Sequence, residues 1–284
     1  MTGETVTGIC ALTPDRGRAY WHDGPDDTWQ DTSGNGGGPN NTPFVNLYGG
    51  EYGVVCTVSN GELWKWDWPF RNYNLDLAQR WFHIGNPGAS FTVTAESVYG
   101  LTPDGARVYR YDGTPMSWTQ VGTAAGQIFG GSWGLVATDP NTGDLFHYLG
   151  SPFNWEAIGL PGAAFAVTAE SVYGLTPDEA RVYRYDGTPM SWTQVGGPAI
   201  RLCAGPWGLV ANSPNGDLYH YLGTPFDWEL IGGPGDAFAV AADTVYGLTP
   251  DRGAVYRYDG TPMSWTQVGG PAAAITAADH FFNE

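Results

Sequence analysis

From residue 164 to residue 196, apolar and polar positions alternate in four short bursts. They are 164–168 (AFAVT), 171–176 (SVYGLT), 181–186 (RVYRYD) and 191–196 (SWTQVG). Each is rich in Val, Tyr, Phe, Trp and Thr, residues that suit a pleated surface buried on at least one side. Between and after them fall Ala-Glu, Pro-Asp, Asp-Gly-Thr-Pro and Gly-Gly-Pro, all turn formers. No window carries the 3.6-residue spacing of an amphipathic helix. The pattern predicts a meander of four short strands.

That meander is written again and again. Residues 94–122 read TAESVYGLTPDGARVYRYDGTPMSWTQVG; 168–196 repeat them with Glu179 in place of Gly105, and 241–269 form a looser copy with the same ending. One tryptophan marks every unit. Trp81, Trp118, Trp155 and Trp192 are spaced by 37 residues, Trp228 follows after 36 and Trp265 after 37. Trp29 stands 52 residues before Trp81, one period plus an insertion. Seven four-stranded units predict an all-β, seven-bladed β-propeller, one domain over residues 1–284, because radial closure protects the sheet edges. The ends complement each other: 273–277 aligns with a first strand and 8–13 with a second. The two termini are therefore expected to share one blade and tie the ring shut.

A finer alternation lies on top. Units three, five and seven carry VYRYDGTPMSW, whereas units four and six carry GDLFHYLGSPFNW and GDLYHYLGTPFDW. The true repeat is a pair of blades. Two insertions, 31–43 and 69–80, flank the second unit and are expected to emerge on opposite faces of the disc.

Gly 42 and Pro 21 fall at fixed offsets in the repeat, so they mark turns rather than disorder. Only 14% of residues are charged and the net charge is −17. That balance excludes nucleic acid and anionic membrane as partners and favours a neutral or cationic ligand. Cys10, Cys56 and Cys203 are too few and scattered for a disulfide framework and read as buried thiols. The start MTGETVTGICALTPD shows neither a basic nor an apolar leader, and no segment is long enough for a membrane span. The expectation is a soluble protein, cytoplasmic or exported without a visible signal peptide.

Val172–Gly174, 182–187 (VYRYDG) and 191–197 (SWTQVGG) resemble the blades of the tectonin and tachylectin-related β-propeller lectins. The resemblance covers residues from about 8 to 278. It implies a propeller that binds sugars or glycolipid head groups through shallow sites repeated around the ring.

Several motifs that could carry chemistry have plain structural roles. Gly130-Gly131-Ser132-Trp133-Gly134 fits a serine-nucleophile pattern, but no helix follows to form the elbow, so it reads as a turn. Residues 139–144 (DPNTGD) lack the ligands of a calcium loop and also read as a turn. His147 and His220 are repeat-equivalent and read as inter-blade contacts; no histidine spacing suggests zinc, and no cofactor or metal is expected. The leading expectation is a non-catalytic lectin binding glycans or small polar ligands at three blade junctions. These would bear Arg110, Asp112 and Trp118; Arg184, Asp186 and Trp192; and Arg257, Asp259 and Trp265. An aromatic plane beside charged hydrogen-bonding groups is what a sugar needs. The alternative is an enzyme (cyclase, lyase or hydrolase) where the pattern breaks, using His22, Asp26, Asp27, Trp66, Trp68, Tyr73, Asp76 and His83. A third reading is a protein-interaction scaffold presenting the 69–80 insertion.

Overall fold

The computed structural model describes residues 4–23, 28–33, 38–66 and 81–282, with the backbone alone given for 4–6 and 279–282. It is a seven-bladed β-propeller, every blade a four-stranded antiparallel sheet. Blade five shows the plan: Ala164–Val167, Val172–Leu175, Val182–Tyr185 and Trp192–Gly196, paired in chain order from the axis outward. The second strand is buried throughout, while the outer one is half-exposed over its first three residues. Apolar side chains thus lie on both faces of each sheet, between neighbours, and the core is a series of inter-blade clusters. The innermost strands contact one another in a closed cycle around the axis.

Closure occurs as expected. Ala274–Phe282 pairs antiparallel with Glu4–Leu12, Cys10 opposite Thr276, and so supplies the innermost strand of blade one. The ends of the chain are locked by a full strand ladder rather than by a loop. Cys10, Cys56 and Cys203 are free thiols, and burial pushes the Cys10 thiol up to about 12. Among the described residues no helix is long and apolar enough to cross a membrane. The 69–80 insertion lies outside the described residues.

One irregularity recurs and positions everything that follows. In blade five Val182 pairs with Gly196 but Tyr183 pairs with Gln194, so the ladder skips Val195. Blades two, three, four, six and seven skip Ile84, Val121, Ile158, Ile231 and Val268 correspondingly. Here it is blade four that skips Ile158, and each skipped residue's carbonyl is released from its own sheet.

Candidate functional site

The released carbonyl is taken by the next blade. The indole Nε1–H of Trp192 donates to Ile158 O at 2.6 Å, and the Met190 backbone N–H donates to the same oxygen at 3.1 Å. Trp118 to Ile84, Trp155 to Val121, Trp228 to Val195, Trp265 to Ile231 and Trp29 to Val268 repeat the bond. Blade one has no such bulge, and Trp81 of blade two instead donates to Thr32 O. The other six indoles each lie on the glycine that follows the bulge. A Cβ on Gly159 would stand 2.9 Å from Trp192 Cζ2, which is why glycine holds this place at six of the seven junctions, with Ser33 there for Trp81. The marker tryptophans are fasteners between blades.

Their remaining surface walls a groove. At the junction of blades four and five, Trp192, Met190, Tyr183, Phe165, Pro161 and Leu160 enclose about 380 Å³, open to solvent. At the junction of blades two and three, Trp118, Met116, Tyr109, Phe91, Pro87 and Asn86 enclose about 270 Å³. Between blades three and four the same groove has Phe146 and Phe153 where the others have tyrosine and methionine. No charged side chain lines the first two grooves. Met190 and Met116 are exposed and adopt left-handed φ values of 62° and 63°, as do Met263, Phe153 and Phe226 at the equivalent positions. That backbone turns the N–H back onto the bulge carbonyl.

The predicted trios do not assemble as trios. In blade three Tyr111 and Trp118 pack towards blade two, whereas Val108, on the Arg110 face of its strand, packs towards blade four. Arg110 Nη2 stands 3.7 Å from Asp112 Oδ1, and Arg184 lies 3.9 Å from Asp186 in blade five. The Asp112 carboxylate also accepts bonds from Ser117 and Thr119, and Asp259 from Ser264 and Thr266. Arg257 sits opposite Tyr246 in blade seven. The arginine–aspartate pairs thus belong to the junction with the following blade. There Tyr99 and Tyr148 meet edge-on at 6.0 Å; burial, then Tyr148, pushes the Tyr99 phenol up to about 12. Tyr173 is likewise pushed up to about 12 beside Tyr221.

His147 and His220 are stacking residues. His147 lies on Trp133 with ring centroids 4.1 Å apart, and His220 on Trp207 at 3.8 Å. Burial lowers the pKa of both. In blade two the equivalent pair is Lys65 over Tyr52, with the ammonium 5.1 Å from the ring centre. Gly130–Gly134 is the tight hairpin joining two strands, and Asp139 receives the Asn141 and Thr142 N–H groups in a turn.

The residues of the alternative site divide between junctions. His22 is fully buried against Trp29 and Tyr246, facing blade seven. Trp66 packs on Trp21 and Trp81 between blades one and two. Trp64, on the same face, stacks on His83, whose Nε2 bonds Gly85 O at 3.0 Å. Asp26, Asp27, Trp68, Tyr73 and Asp76 lie outside the described residues.

The groove residues apart from tryptophan were missed in the sequence. Met190 and Tyr183 stand inside the VYRYDGTPMSW repeat, but only the bulge and the left-handed turn reveal that they border one space.

No family model matches the chain, and no curated protein matches it. Solved structures do. Yeast RCC1 (Prp20), in its crystal structure with Kap60, superposes with a TM-score of 0.61 at 11% identity, over 94% of this chain and 84% of that one. Apo AztD from Citrobacter koseri gives 0.58 at 12% identity, over 98% and 100%. YCF48 bound to D1 peptide gives 0.52 at 13% identity, over 80% and 82%. At such identities the likeness is one of fold.

Proposed function

We propose that this protein is a non-catalytic, multivalent carbohydrate-binding protein whose sites are the lateral grooves between blades. The observation that carries the reading is the recurrence of one groove, walled by Trp118, Met116 and Tyr109 and again by Trp192, Met190 and Tyr183. Trp265, Met263 and Tyr256 occupy the corresponding positions of blade seven. A flat aromatic wall suits the C–H face of a sugar ring, and the tyrosine hydroxyl offers a hydrogen bond to one of its hydroxyls. A lining without charge suits a neutral ligand. The arginine–aspartate pairs Arg110–Asp112 and Arg184–Asp186, and Arg257 and Asp259 at the equivalent positions of blade seven, are proposed as polar contacts for parts of a longer glycan reaching the following junction. Weak sites repeated on one rigid ring gain by avidity.

Repetition also speaks against catalysis as the main activity, since a reaction centre needs one asymmetric set of groups. A scaffold role has a specific support: RCC1 and YCF48, of the same fold, are seen with Kap60 and with D1 peptide in their respective structures. A glycan array followed by calorimetry decides between them. A bound glycan with a stoichiometry above one, reduced by Trp192→Ala, is the expected result. Absence of binding to every glycan removes the lectin reading and leaves the scaffold.

A further inference from the structure

The three grooves of blades three, five and seven are internal copies, and comparing them isolates one variable. Around each, the same residues recur in order: proline, phenylalanine, leucine, tyrosine, methionine and tryptophan. The rim position after the bulge glycine does not follow. It is Asn86 in the first copy, Leu160 in the second and Gly233 in the third. Leu160 is 67% exposed, the most exposed large apolar residue of the described chain, yet it borders the groove. Nothing in the fold requires it, because Gly233 holds the same place with no atom within 4 Å of where its Cβ would be. The groove with Leu160 encloses about 380 Å³ against about 270 Å³ for the one with Asn86.

We infer that position 86/160/233 sets the ligand preference of otherwise identical grooves, and that the Leu160 groove takes a neutral ligand bearing an apolar substituent. The chemistry follows from the rim. An isobutyl group beside Met190 and Pro161 extends the apolar wall and desolvates what lies against it. An amide in its place offers hydrogen bonds and tolerates a hydroxyl, and a glycine leaves that side open to water. No charged side chain lines the groove, so an ionic ligand finds no partner there. A contact differing by a few methylenes is worth about tenfold or more in affinity. The three copies are therefore graded rather than equivalent, and a ring with one dominant and two weaker sites discriminates ligands that three equal sites would not.

The inference rests on the grooves being binding sites and not on the ligand being a sugar, which keeps its test separate. The probe is N-phenyl-1-naphthylamine, neutral and fluorescent in apolar surroundings, titrated into the full chain and into Leu160→Gly, Gly233→Leu and the double variant. Both positions are unencumbered, and an unchanged melting temperature verifies folding. Leu160→Gly is expected to weaken the tightest site about tenfold. Gly233→Leu is expected to add a second tight site, and the double variant to restore a single one. A titration indifferent to both substitutions, or no saturable binding by the wild type and Gly233→Leu, overturns the inference. Methyl and phenyl glucosides and galactosides, run on the same variants, separate the readings. Naphthylamine binding that follows residues 160 and 233 without any glycoside binding sinks the lectin reading alone. Glycoside binding with an indifferent probe sinks this one alone.

Discussion

Trp192 reaches across a blade boundary to hydrogen-bond the one carbonyl that Ile158 cannot use in its own sheet. The bulge makes the acceptor available, the glycine beyond it makes room for the ring, and the tryptophan closes the contact. Trp192→Phe keeps most of the ring and removes the donor. A loss of about 1 kcal/mol is expected from the missing hydrogen bond, because Met190 N–H still satisfies the carbonyl. Trp192→Ala also vacates half-buried ring area and should cost about 2–3 kcal/mol. Urea titration checks both. Equal costs for the two variants would show that the bond contributes nothing.

The glycine side of the contact gives an independent check. Gly159→Ala places a methyl 2.9 Å from Trp192 Cζ2 and 3.1 Å from its Nε1. The indole must move, and overpacking of this kind costs about 1–3 kcal/mol. Gly187→Ala and Gly197→Ala provide the contrast, since neither Cβ would meet any atom within 4 Å. Gly187 has a φ of 81°, so strain alone opposes alanine there, whereas Gly197 carries no such strain. Thermal denaturation should rank Gly159→Ala well below Gly197→Ala.

Much of this fold was legible because repetition amplifies weak local signals. Single strands of four residues carry little information, but the spacing from Trp118 to Trp155 to Trp192 fixed the unit length, and the 8–13 and 273–277 segments fixed the closure. The candidate site was less legible for a geometric reason. Alternation along VYRYDG correctly separates the arginine from its flanking tyrosines, yet it does not say that Trp118 faces one neighbour and Arg110 the other. Pairing Tyr111 with Trp118 and Arg110 with Thr119 across the outer strands settles that, and such register is invisible in a single chain. Trp66, placed among the alternative-site residues by the break in the repeat, is with Trp64 part of the filling between blades one and two, where Trp21 and Trp81 meet it.

Met190 separates stability from binding. A methionine with φ of 62° pays steric strain that glycine would not, about 1 kcal/mol. Glycine in turn loses about 0.5–1 kcal/mol of chain entropy on folding. Met190→Gly is therefore expected to leave the melting temperature within a degree or two, while removing one wall of the groove. Scanning calorimetry and glycan titration on the same sample test this. A large drop in stability would show that the methionine is held for packing and not for the groove.

Histidines 147 and 220 make the fold sensitive to mild acid. Burial lowers both pKa values below the ordinary 6.5, so the unfolded chain binds protons that the folded chain resists. Stability is then fully present above about pH 6.5 and falls as the pH drops below it, levelling once the folded-state pKa is passed. The groups around His147 are the Trp133 ring, the Tyr185 ring that meets Trp133, and Glu156 opposite it on the outer strand. Glu229 holds the corresponding place opposite His220, and burial is the cause of the lowered pKa at both histidines. The double variant His147→Gln, His220→Gln should show a flatter loss of urea midpoint between about pH 7 and 5 than the wild type. His147→Lys offers the complementary test, because Lys65 already holds a permanent cation over Tyr52 at the same place in blade two. That variant should fold, and its pH slope should fall by the share of one histidine. A slope unchanged in both variants would place the acid sensitivity in other groups.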